Sequence, residues 1–327
     1  MSDQHNSGQH NRGAYTHADV HALAKRLSNW GRWGADDEIG TLNHVTRERV
    51  VQAAGLVRSG EIISLALPFD ANGPQNGSFG RNNPVHYMTA TGTDAVGGAQ
   101  NHMRVSRHAD DGIVMPLSCG TQWDGLSHIF YEGRMYNDRP AELVSAGGAA
   151  RNGIEHTRDR IVGRGVLLDL PRYHGRPWLE PGEAIHPADL DGCVQAQGVQ
   201  IREGDFVLIR TGQLAQVRDR GSWGDYAGGP APGLSLDSAE WFAEADLAGY
   251  ATDTWGTEVI PNETPDVFQP MHIVLLVHVG LLIGEMFDLE ELARACAADG
   301  RYEFLFAAPT LPITGAVASP TNPLAIR

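Results

Sequence analysis

The chain has 327 residues, of which 42% are hydrophobic and 20% are charged, a balance typical of a globular protein. Its formal net charge at pH 7 is −15, and no basic stripe offsets it, so nucleic acids and anionic membranes are poor partners. An anionic substrate would need a local cation or a metal ion. Three widely spaced cysteines without a CxxC pair predict no disulfide framework and favour a reducing cytoplasm.

The first 14 residues are polar and small, and we expect them to form a mobile tail ahead of one domain at 15–327. Apolar residues recur at helical spacing in 17–30 and 46–60, and 61–69 is typical of a strand. Residues 70–84 are rich in Gly, Asn and Pro, which predicts a loop near the mouth of a site. The longest apolar run, IVLLVHVGLLIG, is too short to span a bilayer, and the start lacks a secretory signal.

The second half of the chain alternates between predicted strands and helices. The predicted strands are 160–171, 204–212, 247–254, 281–287 and 302–309. The predicted helices are 186–198, 235–246, 266–280 and 289–300. Alternation of this kind favours an α/β fold, and the chain has no internal repeat or linker that would divide it.

The stretch CGTQWDGLSH places a polar cluster between apolar segments. On an extended chain, Ser118, Gln122 and Asp124 share one face, and His128 is close enough in sequence to return to the same site. Oxygen and imidazole donors together suit a divalent cation. The alternative is a buried Asp124 hydrogen-bonded to backbone amides, with His128 as its partner. Spacing alone leaves both interpretations open.

A second group of candidates lies late in the chain. His272 and His278 fall in an apolar helical run, and Glu285 falls in an apolar strand. Glutamate is almost never fully buried unless it is paired, so Glu285 needs a metal, a cation or a proton. The two histidines are six residues apart and need not share a face, so one could be an ordinary core residue. Asp253, at the end of a predicted strand, could be catalytic or could stabilise a turn.

At these residues the chain resembles the Putative cyclase family, which includes bacterial kynurenine formamidases and isatin hydrolase. The family motif HxGTHxDxPxH stands here as SCGTQWDGLSH, with Ser118 and Gln122 in place of two histidines and Leu126 in place of the proline. The resemblance covers about Glu61 to the end, through segments such as GVLLDLPRYHG, GDFVLIRTGQ, GYATDTWGTE and LPITGAVASPTNPLAI. The start NWGRWGADDEIGTLN is similar to a longer branch of the family.

The resemblance implies an α/β fold: a single domain with a mixed β-barrel-like core flanked by helices, of the swivelling β/α type, assembled as a homodimer or homotetramer. It implies that Asp124, His272 and Glu285 bind a divalent metal ion, Mn²⁺ or Zn²⁺. Gln122 stands where a histidine ligand is usual, and its carbonyl oxygen could replace the nitrogen. Oxygen donors at 118 and 122 favour the harder manganese ion.

The function implied is hydrolysis of an amide or cyclic amide bond, or of a lactone, in a small aromatic substrate by a metal-activated water. His128 is expected to move protons or to complete the metal site. Four aromatic residues are candidates to line the substrate pocket, although such side chains often belong to the core: Phe79, Trp123, Tyr131 and Trp255. The alternatives are a lyase or cyclase at the same site, and a non-catalytic small-molecule-binding homologue, favoured by the two missing histidines.

Overall fold

A nine-stranded mixed sheet forms the centre of the computed structural model, which describes residues 14–327. In this part of the chain the strands are β1 (Ile62–Ser64), β2 (Val85–Ala90), β3 (Asp110–Val114), β4 (Gln122–Asp124), β5 (Arg134–Met135), β6 (Arg139–Pro140), β7 (Val144–Ser145), β8 (Gly148–Ala149), β9 (Val162–Asp169), β10 (Ala184–Ile185), β11 (Phe206–Arg210), β12 (Gly233–Leu234), β13 (Gly249–Thr252), β14 (Leu282–Glu285), β15 (Glu303–Ala307), β16 (Ala318–Pro320) and β17 (Leu324–Ile326).

The described helices lie mainly between the strands of the second half. They are α1 (His17–Leu27), α2 (Arg47–Ala54), α3 (Gly92–Val96), α4 (Leu170–Tyr173), α5 (Pro187–Gln197), α6 (Gln213–Arg220), α7 (Ser238–Glu244), α8 (Pro270–His272) and α9 (Glu290–Asp299). A π-helical segment, Ile273–Val279, continues directly from α8. Short 3-10 segments lie at Gly40–His44, Ser78–Gly80, Asn101–Met103, Tyr136–Asp138, Ala141–Leu143 and Ile154–Thr157.

The strand order of the main sheet is β1-β17-β15-β9-β11-β13-β14-β4-β16. Its centre, β9 to β14, is parallel, and antiparallel strands extend it on both sides. The sheet curls into a half-barrel with helices around it, which confirms the predicted α/β fold with a mixed, barrel-like core. The central strand β11 is buried along its whole length, as expected for a parallel strand that is covered on both faces.

The hydrophobic core surrounds these central strands. Leu208 on β11, Tyr250 on β13 and Leu275 on the π-helical segment have no exposed surface. Fully burying a side chain of this kind stabilises the fold by roughly 1.5–3 kcal/mol. Helix α1 packs against the π-helical segment, so the amino-terminal part of the described chain closes over the core.

The short strand β4 lies between β14 and β16, antiparallel to both. Its register with β14 sets Gln122 opposite Glu285 and Asp124 opposite Ile283. Successive residues of a strand point to opposite faces, so Gln122 and Asp124 share one face and Trp123 takes the other. The pairing therefore joins two polar segments that lie more than 150 residues apart in sequence.

Three further expectations concern covalent structure, membranes and the tail. Cys119, Cys193 and Cys296 are all buried and form no disulfide, as predicted. Among the described residues, no helix is long and apolar enough to cross a membrane. The predicted tail, with His5 and His10, lies outside the described residues apart from its last residue.

Candidate metal centre

Three ligand-type side chains converge where β4, β14 and the end of α8 meet. Asp124, His272 and Glu285 are all buried, and one potential ligand atom from each lies within 4.8 Å of the other two. The predicted convergence of these residues is therefore confirmed. Their separation in sequence is bridged by the antiparallel pairing of β4 with β14 and by the helical connection that leads into β14.

Gln122 lies beside the two carboxylates of this group. Its Nε2 donates to Glu285 Oε2 at 2.7 Å and to Asp124 Oδ1 at 3.3 Å. Its Oε1 is buried and has no hydrogen-bond partner between residues 14 and 327. In this arrangement Gln122 links the two carboxylates through its amide N–H groups. For Gln122 to bind a metal ion as predicted, its side-chain amide would have to rotate so that Oε1 takes the place of Nε2. Ser118 is buried and does not line the adjacent cavity.

Glu258 fixes the orientation of His272. Its Oε1 lies 2.6 Å from His272 Nδ1, and its carboxylate also accepts from the backbone N–H groups of Met271 and His272 at 3.2 and 3.3 Å. Nδ1 is thereby occupied, and Nε2 points to Glu285 Oε1 at 3.4 Å and Asp124 Oδ2 at 3.8 Å. A carboxylate behind a histidine is a common arrangement at metal sites, where it sets the tautomer and orients the ring.

The charges of the group call for a cation. Burial, together with the nearby Asp124 carboxylate, raises the pKa of Glu285 to about 7, although His272 opposes this shift. Burial favours neutral His272, but hydrogen bonds to Glu258 and Glu285 outweigh that effect and raise its pKa to about 10. Buried carboxylates need a cation; a protonated His272 supplies one positive charge, and a divalent ion that displaces its proton would supply two. Two carboxylates and one imidazole fit manganese or zinc.

His128 lies beside the group rather than within it. Its Nε2 is 3.6 Å from Asp124 Oδ1 and 3.5 Å from Arg81 Nη2, and 18% of its side chain is exposed. Burial lowers the pKa of His128; Asp124 opposes that shift and Arg81 adds to it. The imidazole is therefore neutral near pH 7 and can accept a proton.

A cavity of about 290 Å³ opens directly above the buried group. Two phenylalanines and a tryptophan contribute to its walls, and the three ligand-type residues form its floor. The lining residues are Phe79, Arg81, Asp124, His128, Ile129, Trp255, Phe268, Gln269, His272 and Glu285. Two of the four aromatic residues predicted to line a pocket, Phe79 and Trp255, are among them.

The other two aromatic candidates, Trp123 and Tyr131, lie elsewhere. Trp123 has no exposed surface; it packs edge-on against Phe287 in the core, and its indole N–H donates to Ala308 O at 3.0 Å. Tyr131 contacts His17 through its hydroxyl at 2.8 Å and packs edge-on against His278. Strand alternation explains Trp123, because a neighbour of Asp124 on a strand must point to the opposite face.

Asp253 is explained by a turn. Its carboxylate accepts hydrogen bonds from the backbone N–H groups of Thr211 and Gly212, both at 2.7 Å, and from the Thr211 hydroxyl. It does not line the cavity. Of the two roles left open by the sequence, the geometry favours stabilisation of the turn after β11.

Sequence reasoning missed Arg81, and it noted Glu258 beside Asp253 without giving it a role. Arg81 lies in the loop that was expected near a site mouth, and a single cation in a stretch of Gly and Asn was the available signal. Glu258 carried no signal beyond being an acidic residue after a strand. Its role depends on a contact with His272, 14 residues away, that no local pattern encodes.

The fold and the buried carboxylate–imidazole group define an α/β protein with a candidate metal centre below a small aromatic pocket. The chain belongs to the Putative cyclase family, whose sequence profile matches residues 43–259. A crystal structure described as a novel cyclase is 41% identical, with a TM-score of 0.84 and coverage of 92% of this chain and 99% of that chain.

Two more distant structures share the fold. Isatin hydrolase A from Labrenzia aggregata, bound to benzyl benzoate, is 21% identical with a TM-score of 0.57, over 85% of this chain and 97% of that chain. Isatin hydrolase A from Ralstonia solanacearum is 18% identical with a TM-score of 0.61, over 84% of this chain and 93% of that chain. A search of curated proteins gave no match.

Proposed function

We propose that the protein is a metal-dependent hydrolase that opens an amide or cyclic amide bond, or a lactone, in a small aromatic substrate. The observation that carries this proposal is the buried Asp124–His272–Glu285 group at the floor of an aromatic cavity. The names of the two isatin hydrolases support it, because isatin is a cyclic amide.

Asp124, His272 and Glu285 would hold the divalent ion, which supplies a bound water of lowered pKa and polarises a carbonyl group. Glu258 keeps the His272 ring oriented, with Nε2 directed into the group. Gln122 holds the two carboxylates close to each other through its amide N–H groups. The arrangement is therefore set by the chain before the ion binds, which reduces the cost of organising the site.

His128 is the proposed acid–base residue. Its neutral ring lies at the edge of the carboxylate group and lines the cavity, so Nε2 can accept a proton from the attacking water and return it to the leaving group. Trp255 and Phe79 form an aromatic wall, with ring centroids 5.8 Å apart, against which a flat substrate can stack. The small cavity volume suits a substrate with one ring.

A metal-reconstitution assay tests the proposal. Chelated protein would be loaded with manganese or zinc at saturation and given a panel of N-formyl anilides, cyclic imides and lactones. We expect turnover only in the metal-loaded protein, and more with manganese than with zinc because oxygen donors predominate. Tight binding of a small amide without turnover at any metal would instead support a non-catalytic homologue.

A second candidate is a lyase or cyclisation reaction at the same site. The description of the 41% identical structure as a novel cyclase favours it. Product analysis in oxygen-18 water separates the two reactions, because hydrolysis places the label in the product and dehydration does not. A homodimeric or homotetrameric assembly and a cytoplasmic location stay predictions.

A further inference from the structure

The cavity contains one feature that amide hydrolysis alone does not require: a cationic side chain in its wall. We propose that Arg81 binds a carboxylate carried by the substrate, so that the pocket selects flat aromatic amides with an anionic substituent; this inference rests on the proposed function. The Arg81 guanidinium lies 5.1 Å from the centroid of the Trp255 ring and 3.5 Å from His128 Nε2.

Arg81 lacks the partner that other inward-facing arginines of this protein have. Arg164 contacts Asp205 at 2.5 Å, and Arg210 contacts Asp169 and Glu290, both at 2.8 Å. Arg81 makes no ion pair with any residue between 14 and 327. A guanidinium group presents parallel N–H donors that match a carboxylate in bidentate fashion, so an unpaired one in a pocket wall is suited to receive that group from a ligand.

The loop that carries Arg81 is held in place by hydrogen bonds within the loop and to Cys119 and Trp255. Gly77 N–H donates to Arg81 O at 3.1 Å, which closes a tight turn. Gln75 donates from Nε2 to Cys119 O at 2.9 Å and accepts from Trp255 Nε1 at 3.3 Å. The guanidinium therefore rests on an indole that is itself held in place, and a cation over an aromatic face gains about 0.5–2 kcal/mol.

The charge balance of the site favours an anion. Asp124 and Glu285 together carry two negative charges when ionised, and a divalent metal ion would neutralise them. Arg81 then contributes a positive charge to the wall of the pocket, in a chain whose formal net charge is −15. A local cation is what an anionic substrate requires to approach such an acidic protein.

The aromatic walls define the rest of the substrate. Phe79 and Phe268 are stacked with centroids 5.8 Å apart at an interplanar angle of 20°, and Phe79 also contacts Trp255. Both phenylalanines are exposed, at 71% and 57%, so they offer apolar surface at the mouth. A single aromatic ring would stack there while its carboxylate reaches Arg81 and its amide reaches the floor.

A matched substrate pair tests this assignment. The pair is an N-formylaminobenzoate and the corresponding N-formylaminobenzamide, in which a carboxamide replaces the carboxylate. In the manganese-loaded wild type we expect kcat/KM to be about 10–100-fold higher for the benzoate, mainly through KM, the usual worth of a hydrogen-bonded charge. Arg81→Gln should abolish this preference, so that the ratio of kcat/KM for the benzoate to kcat/KM for the benzamide falls to about 1. Arg58→Gln, an exposed arginine outside the cavity, is the control for net charge.

Two results would overturn the assignment. If the wild type does not prefer the benzoate, or if the preference survives in Arg81→Gln, then Arg81 does not bind the substrate carboxylate. An equal fall in kcat for both substrates would show that Arg81 acts on the reacting carbonyl instead. If Arg81→Gln does not fold, Arg81→Lys replaces it, and the preference should shrink because ammonium lacks the bidentate geometry.

Binding without turnover separates this inference from the proposed function. Calorimetry would compare benzoate with benzamide on the metal-loaded wild type and Arg81→Gln. We expect benzoate to bind at least about 10-fold more weakly to the variant. Arg81-dependent benzoate binding in a protein that hydrolyses nothing would refute the hydrolase and keep the carboxylate site. Benzoate binding that is unchanged in Arg81→Gln would place the carboxylate on the metal and refute the site.

Discussion

At the residue scale, a substitution that removes the charge of Asp124 gives the most direct test of the metal site. Its side chain is 1% exposed and lies against Glu285, so the two carboxylates repel each other until a cation separates them. We expect Asp124→Asn to remove most of the bound metal, because asparagine keeps the shape and loses the charge that attracts a divalent ion. Metal analysis of the purified variant by mass spectrometry measures the effect.

A surface change controls for this substitution. Asp219→Asn removes the same charge from an exposed position of α6 and should keep full metal occupancy. Metal-free Asp124→Asn should also melt no lower than the metal-free wild type, since the substitution relieves repulsion with Glu285. Full metal occupancy in Asp124→Asn would contradict the three-residue site.

A substitution at His128 distinguishes a catalytic role from a role in metal binding. Because it lies 3.6 Å from Asp124 Oδ1 and outside the convergent group, His128→Ala should keep the metal and lose kcat by roughly 10²–10⁴-fold. Metal content, kcat and melting temperature are measured on the same sample. A parallel loss of metal and activity would make His128 a ligand. A less stable variant whose folded fraction stays fully active would make it a structural residue.

Glu258 acts on the site through His272. Glu258→Gln keeps a hydrogen-bond acceptor near Nδ1 but removes the negative charge, so Nε2 becomes a weaker donor to a metal ion. We expect metal affinity to fall by about 10–100-fold, as is usual for such supporting carboxylates. Competition with a fluorescent chelator gives the dissociation constant. Unchanged metal affinity together with a lower melting temperature would show that Glu258 only stabilises the start of α8.

Residues with unusual chemistry were predictable from the sequence, and ordinary ones were not. Asp124 and Glu285 stood out because a carboxylate in apolar sequence requires a partner, and the motif pointed to the same positions. Trp123 and Trp255 looked alike as aromatic residues, yet one is in the core and the other lines the cavity. The alternation along β4 was the available signal for Trp123. Nothing local distinguished Trp255.

At the element scale, several helices and strands lie where the sequence pattern predicted them. The predicted helices 186–198 and 289–300 correspond to α5 and α9, and the predicted strand 204–212 contains β11. The strand predicted at 61–69 is only β1, Ile62–Ser64. Beyond Ser64 the chain leaves the sheet, and its apolar residues Leu65 and Leu67 are buried without strand pairing, which periodicity alone does not reveal.

The π-helical segment contains His278, which makes the stability of this element depend on pH. The ring stacks on Trp30 at 4.7 Å, and neither ring nitrogen has a hydrogen-bond partner in the described chain. Burial lowers the pKa of His278 to about 4. Between that value and the ordinary 6.5, the unfolded state binds a proton that the folded state excludes. Stability is therefore lost as pH falls through this window, by on the order of 1–3 kcal/mol.

His278→Phe isolates this contribution. Phenylalanine keeps the stacking on Trp30 and cannot be protonated, so the difference in unfolding free energy between variant and wild type should shift in favour of the variant from pH 6.5 down to pH 4. Any change in packing volume affects both ends of the window equally and cancels. Urea denaturation across the pH range measures the difference. A difference that is constant with pH would refute the role of His278.

At the scale of the whole molecule, the order of strands in the sheet depends on pairings that the local sequence pattern does not predict. The alternation of strands and helices predicted the α/β class, because parallel strands are joined by helical crossovers. The position of β4 between β14 and β16 unites the site, and it pairs segments that lie more than 150 residues apart in sequence. Such long-range register is set by packing of the completed core, so the resemblance to a family, and not the local pattern, indicated that the site would assemble.

Because the two buried carboxylates belong to β4 and β14, in the interior of the main sheet, metal binding should stabilise the whole fold. An ion at 100 times its dissociation constant adds about 2.7 kcal/mol to the unfolding free energy. For a protein of this size we expect a rise in melting temperature of roughly 4 °C when manganese is restored to chelated protein. Differential scanning calorimetry measures it, and Asp124→Asn should show almost no rise. An equal rise in that variant would place the stabilising ion elsewhere.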